Sequence, residues 1–269
     1  MKILRNVSAG LFLVSILIIT GCSKEDGTGF NLFTVDDDIA FGQQLRDTIA
    51  SDPANYPLLK ESQYPQAYQH IRRVRDSILN TGLVAYDDVF EWEVYIIHDD
   101  EVLNAFCSPG GYIYFYTGII KFLDNEAQLA GVMGHEMAHA ARRHSTKQLT
   151  KAYGISLLLS IVLGNNTNML VQIAADLASG AAILAFSRDD EYESDESSVQ
   201  YLYQTSYDAR GVAGFFEKMG DASPVPVFMS THPSPENRIE KINEEWLSLG
   251  GEPGNTYESS LQDFKNSLP

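Results

Sequence analysis

The sequence predicts an α+β fold that is mostly α-helical and contains one small β-sheet. Apolar residues recur at helical spacing in several separate stretches of the chain. Residues 90–98 instead alternate in polarity and are rich in β-branched and aromatic side chains, and residues 111–116 form a second extended stretch after the turn Ser108-Pro109-Gly110. We therefore expect a small sheet just ahead of a helix that begins near residue 125.

Helices are predicted on both sides of this sheet. The first, residues 33–50, opens with Thr34 as a cap and with acidic residues in its first turn. Residues 153–164 and 169–186 are the most apolar stretches, and we expect buried core helices there, with a membrane-facing role as the alternative. The other predicted helices cover residues 68–80, 189–195, 212–219 and 236–249, and the tail after Gly250 is expected to be loosely ordered.

The first 21 residues have the pattern of a secretory signal peptide. Lys2 and Arg5 precede an apolar run, residues 11–19, that is too short to cross a bilayer. The end of this run, Ile19-Thr20-Gly21-Cys22, resembles the bacterial lipobox, which implies cleavage before Cys22 and acylation of its thiol. We therefore predict a lipoprotein signal peptide at residues 1–21, a lipidated tether at 22–31, a folded domain at 32–250 and a C-terminal tail at 251–269.

Charge and cysteine content narrow the possible partners. The chain has 19 basic and 36 acidic residues and a formal net charge of −17, which repels nucleic acid and anionic lipid. We therefore expect no nucleic-acid partner, and membrane attachment through the lipid anchor rather than through a basic surface. Once Cys22 is acylated, Cys107 is the only other thiol, so no intramolecular disulfide can form.

The segment His135-Glu136-Met137-Ala138-His139 is an HExxH motif within a stretch of good helix-forming composition, with Asp124 or Asn125 as its cap. Residues four apart lie on the same face of a helix, so His135 and His139 can bind one ion. Glu136 lies beside that ion, where it can take a proton from the attacking water. The motif therefore predicts a zinc hydrolase.

A catalytic zinc site needs a third protein ligand, and the residues offer two sources for it. The metzincin pattern requires a glycine where Arg142 stands and a histidine where Ser145 stands. His144 is one residue out of that register, so we interpret it as a helix-end histidine or as one that supports a ligand. The other source is a later acidic helix on which Glu191 and Asp195, four residues apart, share a face, although such a pair is also typical of a solvated helix face.

Four segments, taken in order, resemble a known family, the gluzincin-type zinc peptidases that include HtpX, the CAAX prenyl endopeptidases, LoiP and BepA. The first is Asn104-Ala105-Phe106 with Pro109-Gly110-Gly111, and the second is the HExxH motif. The third is Glu191-Tyr192-Glu193-Ser194-Asp195, where the family has ExEAD, and the last is Thr231-His232-Pro233 with Arg238-Ile239. The resemblance covers residues 33–249 and implies a zincin-like metallopeptidase domain, similar to LoiP and without a helical-repeat domain.

The resemblance implies a role for several residues. One zinc ion per chain would be held by His135, His139 and Glu191, with Glu136 as the catalytic base and Asp195 orienting His135. His232 would be a regulatory fourth ligand or, together with Arg238, would stabilise the oxyanion, and a structural His-Pro turn with Arg238 in a salt bridge is the alternative. We expect Cys107 to be a buried, inert thiol. The predicted substrate-binding strand comprises Asn104, Gly111, Tyr112, Ile113, Tyr114, Phe115 and Tyr116.

The implied activity is that of a metalloendopeptidase of the cell envelope in a Gram-negative-type bacterium. Its expected partners are unfolded or misassembled envelope proteins, and the lipid anchor is expected in the outer membrane, with the periplasmic face favoured over the cell surface. The alternative function is a latent protease that acts mainly as a chaperone or assembly factor for outer-membrane proteins. The sequence does not predict an oligomeric state.

Overall fold

Twelve α-helices and a three-stranded sheet form the part of the chain that the computed structural model describes, residues 33–220, 226–233 and 237–269. The predicted signal peptide and tether, including Cys22, lie outside these residues. The elements in chain order are α1 (Val35–Ala50), α2 (Pro65–Leu79), β1 (Val94–Ile97), β2 (Ala105–Ser108), β3 (Tyr112–Tyr116), α3 (Thr117–Phe122), α4 (Glu126–Ala141), α5 (His144–Tyr153), α6 (Ile155–Val162), α7 (Thr167–Ala178), a 3₁₀ turn (Ala182–Leu184), α8 (Arg188–Tyr203), α9 (Gly211–Gly220), α10 (Phe228–Thr231), α11 (Arg238–Ser248) and α12 (Glu258–Asn266). The predicted mostly helical α+β class is confirmed.

Local capping fixes the starts of the helices that matter most for the site. Thr34 caps α1 and forms a reciprocal capping box with Asp37, as the acidic first turn predicted. Asn125, one of the two predicted caps, accepts a hydrogen bond from the Gln128 backbone N–H at 2.9 Å and starts α4. The Asn125 cap therefore determines where α4, the helix that carries the HExxH motif, begins.

The sheet corrects the predicted substrate-binding strand. Its order is β1-β3-β2, with β3 parallel to β1 (Val94 opposite Ile113) and antiparallel to β2 (Ala105 opposite Phe115). Both edges of the segment from Gly111 to Tyr116 are therefore already paired, and the prediction that a substrate pairs with this segment is wrong. Within the described residues the edge strands are β1, which forms an isolated bridge with Leu58 on its outer side, and β2, a strand that the sequence did not predict.

Two glycines allow helices to pack closely against α4. A Cβ on Gly131 would lie 2.2 Å from the Val212 backbone nitrogen of α9, and a Cβ on Gly134 would lie 2.8 Å from the Ser198 Oγ of α8. Ser198 also donates a hydrogen bond to the Gly131 carbonyl at 2.9 Å. The close approach brings the acidic helix α8 alongside the HExxH helix, which is the contact that the predicted zinc site requires.

The two most apolar stretches form α6 and α7, which pack against α1. Their inner sides are buried, including Leu158, Ile161 and Ile173, as the core-helix prediction requires. α7 ends at Ala178, before the predicted end of its stretch, and Gly180 follows with φ +65°. Among the described residues no single helix is long and apolar enough to cross a membrane; α6 and α7 meet that test only together and are bent by 112° at their junction.

The chain after Gly250 differs from the loosely ordered tail that was expected. It forms α12, whose Leu261 and Phe264 are buried in the main hydrophobic cluster. Ser260 and Arg73 both hydrogen-bond the buried carboxylate of Glu126 at the start of α4. These contacts make α12 part of the folded domain.

Because Phe264 is fully buried, we expect Phe264→Ala to lower the free energy of unfolding of the full-length protein by about 3–5 kcal/mol. Gln262→Ala, on the exposed side of the same helix, should change it by no more than about 0.5 kcal/mol. Urea denaturation followed by circular dichroism measures both values. Equal stability of the two variants would show that α12 does not contribute to the core.

Candidate metal centre

Helix α4 presents two imidazoles to one point inside the protein. His135 and His139 are fully buried, and their Nε2 atoms lie 3.0 Å apart. Two nitrogen ligands of a tetrahedral zinc ion, each about 2.0–2.1 Å from the metal, lie about 3.4 Å apart. The spacing of the pair is thus close to that of two ligands of one ion.

Two further groups from distant parts of the chain complete the cluster. Glu191 of α8 places one carboxylate oxygen 3.3 Å from His139 Nε2 and the other 3.7 Å from His135 Nε2. His232, which follows α10, places Nδ1 3.2 Å from His135 Nε2 and 3.1 Å from Glu191 Oε1. The potential ligand atoms of these four residues all lie within 4.8 Å of one another.

The buried charges around this cluster fit a divalent cation. The carboxylates of Glu136, Glu191 and Asp195 are buried together with a single guanidinium, that of Arg238. With neutral imidazoles the group carries a formal charge of −2, which is costly to bury unless it is compensated. One Zn²⁺ ion would neutralise it, and histidine nitrogens with a carboxylate are donors that zinc prefers.

Asp195 and Arg238 hold the cluster from behind. Asp195 Oδ1 lies 2.9 Å from His135 Nδ1, the predicted contact, and it orients the imidazole so that Nε2 faces the cluster. The Arg238 guanidinium lies 2.7 Å from Glu191 Oε2 and also binds Asp195. Arg238 therefore forms the salt bridges of the structural alternative, and the face of its guanidinium lies 3.7 Å from the Phe216 ring centroid.

A second set of contacts supports His139 through His144, and the sequence predicts only part of it. His144 Nδ1 lies 3.2 Å from His139 Nδ1, and His144 Nε2 lies 3.2 Å from Glu193 Oε2. Ser194, which stands where the family has alanine, places its hydroxyl 3.3 Å from His144 Nδ1. His144 therefore contacts a candidate ligand, as one of its two predicted roles requires, but no sequence pattern indicated Glu193 as its partner.

Glu136 is buried beside the cluster, where a base is needed. Both carboxylate oxygens are fully buried without a well-formed hydrogen bond among the described residues, and Oε1 lies 3.4 Å from His232 Nε2. Burial raises the pKa of Glu136 to about 7, with Glu191 adding to the rise and His232 opposing it. A carboxylate with a pKa near neutrality can both accept and return a proton.

The other titrating groups respond to burial and to their neighbours. Burial lowers the pKa of His139 to about 3, so its imidazole is neutral and can bind a metal. Burial alone would raise the pKa of Glu191, but Arg238 and His232 hold it well below its usual range. Burial alone would lower the pKa of His232, but Glu136 and Glu191 outweigh this effect and raise it.

A small apolar cavity adjoins Glu136. Cys107 of β2 lines it together with Glu136 and His232, and the cavity is about 20 Å³ in volume, enough for about one water molecule. The Cys107 thiol is buried, lies 3.1 Å from the Ser145 hydroxyl, and has a pKa raised well above its usual value by burial. The predicted burial of this thiol is confirmed.

Comparison with protein families matches residues 65–246 to Peptidase family M48. The chain belongs to this family. M48 peptidases use zinc, and the buried cluster of three histidines and a glutamate is able to hold it. The buried cluster fits the zinc that this family uses, which is the cofactor that the sequence predicted.

Named relatives in family M48 come from mitochondria and from bacteria. The mitochondrial metalloendopeptidase OMA1 of Schizosaccharomyces pombe is 31% identical over 65% of this chain and 54% of its own length. The beta-barrel assembly-enhancing protease of Yersinia pestis is 27% identical over 87% of this chain and 49% of its own length. The chain thus spans about half the length of these relatives, whereas the metalloprotease YcaL of Escherichia coli, 25% identical over 86% of this chain, is covered over 93% of its length.

Because Asp195 orients His135, we expect Asp195→Asn to weaken zinc binding by about 10–100-fold while the protein stays folded. Asp189→Asn, on the exposed side of the same helix, is the control and should bind zinc like the parent. Competition with a fluorescent zinc chelator measures both affinities. An unchanged affinity in Asp195→Asn would show that the contact with His135 does not support metal binding.

Proposed function

We propose that this M48 peptidase is a zinc-dependent endopeptidase in which His135, His139 and Glu191 hold the metal and Glu136 is the catalytic base. The observation that carries the proposal is the convergence of the three proposed ligands, from two helices far apart in sequence, in one buried cluster with Glu136 buried beside it. Asp195 and Arg238 position the ligands, as their contacts with His135 and Glu191 support.

The reaction is the hydrolysis of a peptide bond. Zinc, when bound, polarises the scissile carbonyl and lowers the pKa of water. Glu136 takes the proton of the attacking water and returns it to the leaving amine. Exclusion of bulk water from the buried carboxylate strengthens its electrostatic interactions with the reacting groups.

We further propose that the substrate main chain pairs with the edge of β2 instead of the predicted segment from Gly111 to Tyr116. β2 leaves one edge unpaired within the described sheet, and its Phe106 and Cys107 line the same cavity as Glu136. Pairing through main-chain hydrogen bonds requires little side-chain specificity. Such a mode suits unfolded polypeptide segments as substrates.

The proposed location is the envelope of a Gram-negative bacterium, with misfolded or misassembled envelope proteins as substrates. Two observations support it: the names of the bacterial relatives, which include beta-barrel assembly-enhancing proteases, and the lipobox-like segment that ends at Cys22. Acylation of Cys22 would anchor the chain in the outer membrane, with the periplasmic face favoured.

We expect Glu136→Gln to retain one zinc per chain but to lower the rate of casein cleavage by about 100-fold or more, because it removes the base and leaves the proposed ligands in place. Glu196→Gln, an exposed glutamate on α8, is the matched control and should cleave like the parent. Metal analysis and a fluorescent casein assay provide the two readouts. If Glu136→Gln cleaves at the parental rate, the assignment of the base is wrong.

A second candidate function, a latent protease acting as a chaperone or assembly factor, is favoured by the closure of the site. His135, Glu136, His139 and Glu191 are completely buried, and His232 occupies the position beside them that a substrate or water would need. The backbone N–H of Phe228 also donates to the Leu103 carbonyl, which ties the segment carrying His232 to the start of β2. We propose that this segment holds the site shut in the described conformation.

If His232 closes the site, His232→Ala should raise the rate of casein cleavage above that of the parent without loss of zinc. Ser230→Ala, an exposed position on the short helix α10 that precedes His232, should leave the rate unchanged. A fall in activity in His232→Ala would instead support a role for this histidine in stabilising the oxyanion. The casein assay, performed at equal zinc content, decides between them.

A further inference from the structure

Exposed apolar side chains are concentrated in one segment of the protein, residues 152–187, which we call the apolar unit. It contains α6, α7 and the 3₁₀ turn Ala182–Leu184. Among the described residues, four of the eight large hydrophobic side chains that are exposed lie in it: Leu159, Leu163, Val171 and Ile183. Leu163 is 78% exposed, so the unit presents to its surroundings side chains that water solvates poorly.

The apolar unit also lacks charge. Asp176 is its only residue of the Asp, Glu, Lys and Arg types, in a chain whose net charge is −17. The Asp176 carboxylate is hydrogen-bonded within the unit. It accepts one hydrogen bond from the Tyr153 hydroxyl and one, of 2.9 Å, from the Gln172 side chain. A surface with a single, hydrogen-bonded carboxylate meets less repulsion from anionic lipid headgroups than the rest of this acidic chain.

One side of the apolar unit is buried in the protein interior. Leu158, Ile161, Leu170 and Ile173 are buried in a hydrophobic cluster with α1. The Gln44 side chain of α1 also donates to the Val162 carbonyl at the end of α6. Only the outer side chains are therefore available for another apolar environment, which is the geometry of a helix that lies in a membrane interface.

The start of the described chain lies in the same cluster. Phe33 packs edge-on against Phe41 of α1, and both belong to the cluster that buries α6 and α7. Cys22, the predicted lipid attachment point, precedes Phe33 by eleven residues, which reach at most about 40 Å when fully extended. A lipid on Cys22 would therefore hold this side of the molecule within about 40 Å of the bilayer.

We propose that the apolar unit is a membrane-contact surface, with Leu163 and its exposed apolar neighbours inserted among the lipids of the bilayer that holds the anchor. The inference rests on the predicted lipidation of Cys22 and not on catalysis. The contact would also determine where the metal centre lies relative to the membrane. Leu177 and Leu184 of the apolar unit line the cavity beside Glu136, so the contact would position that cavity close to the membrane surface.

The test places an environment-sensitive fluorophore on single cysteines of the full-length chain, purified from membranes and inserted into nanodiscs of phosphatidylethanolamine and phosphatidylglycerol. Leu163→Cys and Val171→Cys report on the apolar unit. Leu247→Cys, 62% exposed on α11, is the matched control outside it. Labelled parental protein gives the background from the buried Cys107.

We expect the probe at Leu163→Cys and Val171→Cys to emit at shorter wavelength in nanodiscs and to lose most of its fluorescence to a lipid that carries an acyl-chain spin label. The probe at Leu247→Cys should be insensitive to that lipid and sensitive to iodide in the buffer. No quenching by the lipid at any position, or equal quenching at all three, would overturn the proposal. Protection of the Leu163→Cys and Val171→Cys probes from iodide that rises with protein concentration in detergent alone would also overturn the proposal. It would indicate that a second copy of the chain covers this surface. Because the readout is fluorescence, failure of the proposed protease activity would not affect it.

Discussion

The packing of α8 against α4 is the contact on which the rest of this structure depends. Gly134 gives α8 room, and the Ser198 hydroxyl joins the two helices through the Gly131 carbonyl. This packing places Glu191 beside both imidazoles of the HExxH motif and Asp195 behind one of them. Without it the two histidines would be an incomplete site, and the acidic face of α8 would be an ordinary solvated surface.

The same packing buries more negative than positive charge. Three buried carboxylates face one buried guanidinium, and burial penalises each uncompensated charge. Burial raises the pKa of Glu136 to about 7, which reflects that penalty. A divalent cation would therefore both complete the site and stabilise the fold, since an ion that binds only the native state favours folding by mass action.

Much of the site could be predicted from sequence because its residues lie in short helical patterns. The spacing of His135 and His139, and of Glu191 and Asp195, fixes a shared helix face irrespective of the remainder of the fold. Which acid meets which histidine could not be read from spacing alone, and the family resemblance supplied that assignment. The contact between His144 and Glu193 joins separate helices, so no local pattern encodes it.

The errors in the predicted fold also have physical causes. The four residues of β2 are too few to show a period, so the sequence alone does not reveal that β3 is the central strand and not an edge. α12 was missed because only Leu261 and Phe264 anchor its nine residues, a weak pattern in a polar sequence. In both cases tertiary contacts decide a structure that local sequence leaves undetermined.

X-ray absorption at the zinc edge of the purified full-length protein tests the central claim most directly, namely that the buried cluster between α4, α8 and His232 is the zinc site. We predict one zinc per chain with a first shell of nitrogen and oxygen ligands at about 2.0–2.1 Å and no sulfur. Cys107, which lines the neighbouring cavity, offers the nearby alternative donor. A sulfur ligand at about 2.3 Å, or the absence of bound zinc, would contradict the account.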